Sequence, residues 1–146
     1  MELKTLRVEP SGLDVHYYRA GDGEPLLYLH HIAGLVGFEP ALAELAKSFD
    51  VIAPYAPGFG PAKDDLDKIA EGPLEITLHH FDLLDALDID RANVVGISIG
   101  AWMAAELAAI YPDCVNKLLL VNPLGIWLDD AQGQDPFAQN PAEPED

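Results

Sequence analysis

The sequence predicts an α/β fold: a mostly parallel sheet with an N-terminal antiparallel hairpin and helices on both faces. Three observations predict it. Short, continuous apolar runs of strand length alternate with segments of helical period. Two segments of alternating polarity open the chain on either side of a turn. The chain has 146 residues, 49% of them hydrophobic, which is enough for a single buried core.

The elements of this fold can be placed in chain order. The hairpin pairs the strands Leu3–Val8 and Leu13–Tyr18 across a Pro-Ser-Gly turn. Buried strands are expected at four further places: Leu26–His30, Asp50–Pro54, Asn93–Ile97 and Lys117–Pro123. Helices are expected at three: residues 41–49, Leu74–Ile89 and Ile99–Tyr111. Because helices separate the buried strands, right-handed crossovers and a parallel sheet follow.

Composition limits the partners and the compartment. The formal net charge of −17 repels phosphate backbones and anionic lipids, so we expect neither nucleic acid nor membrane as a partner. The N-terminal residues lack the apolar core of a signal peptide, and no apolar run has the length of a membrane span. We therefore expect a cytoplasmic protein. The single cysteine, Cys114, is expected to be a small buried hydrophobe.

Ser98 stands between two glycines, in GISIG, where a buried strand should give way to a helix. One interpretation is a nucleophile held on a sharp turn, since Gly96 and Gly100 remove side chains that would collide there. The other is a helix N-cap, since serine is favoured in that role. No metal-ligand spacing and no dinucleotide fingerprint accompany this motif, so no cofactor is expected.

Four stretches together resemble the α/β-hydrolase family, specifically its lid-bearing esterase and C–C bond hydrolase branch: LLYLHHIAG, VIAPYAPGFG, NVVGISIGAWMAAELAAIYP and KLLLVNPLG. The resemblance implies that residues 1–126 are the N-terminal part of a hydrolase core that lacks the last strands. From Asp129 to the end, six residues are acidic and none is basic, and three are prolines. Residues 127–146 are therefore expected to be an acidic, proline-containing tail or the start of a lid or linker.

The resemblance also implies roles for individual residues. Ser98 would be the nucleophile, and the backbone N–H groups of Ile99 and Ile32 would form the oxyanion hole. Side chains that could line the pocket are His30, His31 and Trp102. The chain departs from the family pattern at His31, where glycine is usual, and at two positions expected to be peripheral to the chemistry, Tyr55 and Pro61.

The general base and the acid of a serine hydrolase are not visible in the sequence. All five histidines precede the serine: His16, His30, His31, His79 and His80. We expect His30 to be a hydrogen-bonded structural residue and the histidine pair 79–80 to be one surface and one half-buried side chain on a helix. Where some family members carry the acid, this chain has Asn122, which is not a carboxylate.

Two functions therefore remain open. The first is a serine hydrolase of small molecules, acting on an ester or on a C–C bond beside a carbonyl through an acyl-enzyme at Ser98 in the complete protein. The chain alone is then expected to be inactive, with strand 117–121 left open to a C-terminal half or a second chain. The alternative is a catalytically inactive small-molecule-binding module or complementation fragment with a hydrolase-like fold.

Overall fold

A six-stranded mixed sheet organises the protein, which we describe from a computed structural model over residues 2–37, 39–69 and 73–125. Its strands are β1 (Leu3–Val8), β2 (Leu13–Ala20), β3 (Glu24–Leu29), β4 (Phe49–Pro54), β5 (Ala92–Ile97) and β6 (Val115–Val121). The helices are α1 (Pro40–Leu45), α2 (Leu66–Ile69), α3 (Pro73–Ala86) and α4 (Ile99–Ile110), with 3₁₀ turns at Gly60–Ala62 and Pro112–Cys114. None of the helices in these ranges is both long and apolar enough to cross a bilayer.

The strand order is β1-β2-β4-β3-β5-β6. β1 pairs with β2 and β2 with β4 in antiparallel fashion, whereas β4, β3, β5 and β6 run parallel. The predicted fold class is confirmed, including the N-terminal hairpin. Because β3, β4 and β5 are neighbours and parallel, the loops that follow them meet at one edge of the sheet, where ligands bind in open α/β sheets.

Alternate residues of the parallel strands enter two separate cores. Leu27 and Leu29 of β3 pack in the core that receives α3 and α4, whereas Leu26 and Tyr28 pack in the core that receives Leu42 of α1. Helices therefore cover both faces, as predicted. Burial on both faces explains why these strands are continuously apolar in sequence.

Several element boundaries differ from those predicted. The first helix ends at Leu45 instead of residue 49, because Phe49 already pairs in β4. α3 ends at Ala86, three residues early, shortly before Asp88 adopts a positive φ of 55°. The acidic connection contains a short helix, α2, that was not predicted. The predicted division at residue 126 lies outside the described residues.

β6 forms one edge of the described sheet, where it is hydrogen-bonded to β5 only. Two of its apolar side chains are exposed, Leu118 by 40% and Leu119 by 56%. Cys114, just before this strand, is buried as expected, and burial raises the pKa of its thiol. The free edge and the exposed leucines leave this side of the sheet open to further polypeptide.

Candidate active site

Ser98 occupies a strained backbone conformation between β5 and α4. Its φ is 57° and its ψ is −115°, far from the ψ of about +47° of the left-handed helical region. Conformations of this kind cost on the order of 1–3 kcal/mol and persist only where the surroundings enforce them. The Ser98 N–H donates to the carbonyl of Val121 (2.9 Å), and its carbonyl accepts from the N–H groups of Ala101 (3.1 Å) and Trp102 (3.3 Å).

The hydroxyl of Ser98 does not cap the helix that follows. Ser98 holds the N-cap position of α4, yet its side chain makes no capping hydrogen bond. The helix-cap interpretation is therefore wrong. The hydroxyl stands at the N-terminus of a helix of 12 residues, where the unpaired N–H groups and the helix dipole favour negative charge.

Gly96 and Gly100 are required by close backbone contacts on both sides of this turn. A Cβ on Gly96 would lie 2.3 Å from the carbonyl oxygen of Gly100. A Cβ on Gly100 would lie 2.3 Å from the carbonyl oxygen of Leu29 and 2.5 Å from that of His30. The start of α4 thus rests directly on the end of β3, which brings residue 98 beside the loop that leaves that strand.

The two backbone N–H groups expected to form an oxyanion hole are those of Ile99 and Ile32. Ile99 is the first residue of α4, so its N–H has no acceptor within the helix. Ile32 lies in the loop after β3, residues 30–37, which we call the β3 loop. In the part of the chain that the structure describes, no hydrogen bond is donated by the Ile32 N–H. The Ile32 side chain is 53% exposed.

His30 links the β3 loop to the loop after β4. Its Nδ1 lies 2.7 Å from the carbonyl oxygen of His31, and its Nε2 accepts the N–H of Ala56 at 3.0 Å. The first contact requires a proton on Nδ1 and the second requires a bare Nε2, so the ring is neutral. Burial, above all, lowers the pKa of His30 from its ordinary value. The prediction of a hydrogen-bonded structural histidine is confirmed.

His31, which replaces the glycine usual in the family, is accommodated without backbone strain. It is not among the described residues of positive φ. Its Nδ1 accepts the N–H of Ala33 at 3.0 Å, and its carbonyl oxygen accepts the N–H of Gly34 at 2.9 Å. The side chain that could have narrowed the loop instead closes a tight turn within it.

The histidine pair on α3 is buried, contrary to the prediction of a surface and a half-buried side chain. His79 is 5% exposed and His80 is 2% exposed. Burial lowers the pKa of His79 to about 4 and that of His80 to about 3. The Nδ1 of His80 donates to the Ile76 carbonyl at 2.7 Å, whereas the Nδ1 of His79 has no partner among the described residues. The prediction failed because this face of α3 packs inside the protein.

No base for Ser98 is found among the described residues. His30, His79 and His80 are buried, and no hydrogen bond joins any described histidine to the serine. Asn122 is exposed, with a φ of 45°. Within the described ranges, no group of three or more His, Cys, Asp or Glu side chains could hold a metal ion. A cavity of about 360 Å³ beside Asp88 lies at the opposite end of β5 from Ser98.

Two partners of the β3 loop were not predicted from sequence. The Tyr55 hydroxyl donates to the carbonyl of Leu35 at 3.2 Å, so Tyr55 is bonded to this loop. Ala56 binds His30 through its backbone N–H. These contacts join residues 20 and 26 positions apart, and no local pattern signals them. Trp102, expected near the pocket, is half-buried, and Gly125 approaches its indole ring.

Comparison with known proteins places this geometry in a family. A 2-hydroxymuconate semialdehyde hydrolase from Pseudomonas sp. (strain CF600) is 32% identical over 130 residues, which cover 86% of this chain and 45% of that protein. A meta-cleavage product hydrolase from Pseudomonas fluorescens IP01 superposes with a TM-score of 0.75 at 26% identity. The superposition covers 86% of this chain and 47% of the chain of that hydrolase.

An N-acyl homoserine lactone degrading enzyme is also similar, with a TM-score of 0.71 and 29% identity. The match covers 80% of this chain and 44% of the chain of that enzyme. The chain thus spans about half the length of the relatives it matches. The sequence model of the alpha/beta hydrolase fold matches residues 24–143. The chain therefore belongs to the α/β hydrolase fold family.

Proposed function

We propose that this chain is the nucleophile-bearing part of a serine hydrolase in which Ser98 forms an acyl-enzyme. The observation that carries the proposal is the elbow itself. A serine is held at φ 57° by two tightly packed glycines, and its hydroxyl makes no cap. Backbone strain of this kind is typical of functional sites.

The proposed reaction uses groups at the edge of the sheet. The Ser98 oxygen attacks the carbonyl carbon of the substrate while a base removes the hydroxyl proton. The carbonyl oxygen becomes an oxyanion that accepts hydrogen bonds from the N–H groups of Ile99 and Ile32, and each such donor is worth about 2.7–4 kcal/mol. The proton then passes to the leaving oxygen or carbon. Water hydrolyses the acyl-enzyme and regenerates the serine.

The base and its acid come, in this proposal, from polypeptide outside the described residues. The chain spans 45% of the semialdehyde hydrolase it matches, and no described histidine is bonded to Ser98. The free edge of β6, with Leu118 and Leu119 exposed, provides a place for the missing strands to pair. The 146 residues alone then do not turn substrate over.

The comparisons support both of the expected substrate classes. Similarity to a 2-hydroxymuconate semialdehyde hydrolase and to a meta-cleavage product hydrolase supports cleavage of a C–C bond beside a carbonyl. Similarity to a lactone-degrading enzyme supports ester cleavage on the same elbow. Both reactions use the same acyl-enzyme chemistry, so the nucleophile does not depend on this choice.

Turnover by the protein purified from the cells that make it tests the proposal. We expect hydrolysis of 2-hydroxymuconate semialdehyde, followed by loss of its absorbance, with a p-nitrophenyl ester as the second substrate. Ser98→Ala should reduce both rates to the background while leaving the fold intact by circular dichroism. Turnover that survives in Ser98→Ala would contradict the proposal, as would a failure of the unmodified protein to hydrolyse either substrate.

A further inference from the structure

Ile32, the second proposed oxyanion donor, lies between two peptide groups that are both held by histidine rings. The carbonyl oxygen of His31 lies 2.7 Å from Nδ1 of His30, and it also accepts the N–H of Gly34 at 2.9 Å. One residue later, the N–H of Ala33 donates to Nδ1 of His31 at 3.0 Å. Consecutive histidines thus bond to the peptide group before Ile32 and to the one after it.

The first of these contacts fixes the direction of the Ile32 N–H. The His31 carbonyl and the Ile32 N–H belong to one planar trans peptide, so they point in opposite directions. Two donors hold the carbonyl on the side of the His30 ring. The N–H is consequently aimed away from that ring, and within the described residues it has no acceptor.

The second contact removes the remaining freedom. Rotation about ψ of Ile32 would turn the next peptide, and the Ala33 N–H is held by the His31 ring. Ile32 has a side chain that is 53% exposed, so packing contributes little to its conformation. The two histidine contacts are therefore the principal constraints on this residue.

His30 is itself anchored to the rest of the site. Its Nε2 accepts the Ala56 N–H, and its ring lies 4.8 Å from that of Phe59 in an edge-to-face arrangement. Its backbone carbonyl rests against Gly100, one helical residue past Ile99. The His30 ring is thus fixed relative to the elbow, and the Ile32 N–H is fixed relative to the His30 ring.

We propose that His30 and His31 are positioning residues that together hold both peptide planes around Ile32 and so aim its N–H at the oxyanion formed above Ser98. This inference rests on the proposed function. A donor displaced by about 1 Å can cost about 100-fold in rate, so losing one of the two constraints should slow acylation without weakening binding of the reagent.

Four substitutions at these positions test the proposal. His31→Ala removes the acceptor for the Ala33 N–H. His31→Asn replaces it, because Oδ1 of asparagine occupies nearly the place of Nδ1, whereas His31→Gln carries its oxygen one bond further out. His31 is half-buried, so these variants should fold. His30→Leu removes both bonds of the buried ring, and its folding is checked by thermal unfolding.

Acylation by a fluorophosphonate probe is measured on the protein purified from its own cells, and exchange of the Ala33 amide is measured by NMR on the 146-residue chain. We expect His31→Ala and His31→Gln to lower the maximal acylation rate about tenfold or more at unchanged half-saturating concentration, and to raise Ala33 exchange. His31→Asn should restore both. A folded His30→Leu variant should slow acylation at least as much.

Two results would overturn the proposal. The first is a hydrogen-exchange rate of the Ala33 amide that is the same in all three His31 variants. The second is an exchange rate that changes among these variants while the acylation rate does not. If the unmodified protein is not acylated at all, the proposed function fails separately. Ala33 protection that is lost in His31→Ala and regained in His31→Asn would still support His31 as a group that sets the conformation of Ile32.

Discussion

Gly100→Ala is expected to lower the free energy of unfolding by about 1–2 kcal/mol, although alanine is the better helix former. Gly100 lies in the first turn of α4, where helix propensity alone would make alanine about 1 kcal/mol more stable. Against this, the new Cβ would lie 2.3 Å and 2.5 Å from the carbonyl oxygens of Leu29 and His30. These are backbone atoms of a central strand and its loop, so neither can move aside, and overpacking of this kind costs about 1–3 kcal/mol or more.

Urea unfolding of both proteins measures the difference, and Ala109→Gly is the matched control. Ala109 is exposed on the same helix, so its replacement reports helix propensity without a clash and should cost about 1 kcal/mol. Gly100→Ala adds a methyl group and Ala109→Gly removes one, yet both substitutions should lower the free energy of unfolding. A Gly100→Ala variant as stable as the unmodified chain would show that α4 does not rest on β3 as described.

Acidification from about pH 7 to about pH 5 is expected to cost the folded protein about 4 kcal/mol through His79 and His80. Burial lowers their pKa values from 6.5 to about 4 and about 3, so the unfolded chain takes up protons that the folded protein does not. Their contribution is complete above the unfolded pKa and is lost as the pH falls toward the folded values. At about pH 5 each histidine accounts for about 2 kcal/mol, since one pKa unit is worth 1.36 kcal/mol.

The variant His79→Leu/His80→Leu isolates this effect, because it keeps every carboxylate of the chain. Its free energy of unfolding should fall by about 4 kcal/mol less than that of the unmodified protein between about pH 7 and about pH 5. At neutral pH, His79→Leu alone should be as stable as the parent or more so, because it removes a buried nitrogen for which the described ranges offer no hydrogen-bond partner. Equal pH dependence in the double variant and the parent would show that the two rings are not buried.

The sequence was sufficient to predict the features that depend on local pattern. The apolar runs of β3 and β5 are buried on both faces, and the spacing of Gly96 and Gly100 around Ser98 matches the contacts that these glycines make. Helix ends were less well predicted. The local sequence pattern allows Phe49 to continue the helix, but pairing with Glu24 places it in a strand instead.

Features that depend on distant contacts could not be predicted. The burial of His79 and His80 is set by what packs against α3, whereas the sequence indicated one surface and one half-buried side chain. The bond between His30 and Ala56 spans 26 residues, and the bond from Tyr55 to Leu35 spans 20. The Ser98 dihedral angles likewise accompany the close packing of the start of α4 on the end of β3.

Intact mass after exposure to a fluorophosphonate probe tests most directly whether Ser98 is a nucleophile activated by groups outside these residues. The protein purified from its own cells should gain the mass of one probe, located on Ser98 by peptide mapping and absent in Ser98→Ala. The 146-residue chain alone should gain none. An adduct on that chain alone would contradict the external base, and a native protein that gains no adduct would contradict the nucleophile and favour a small-molecule-binding module.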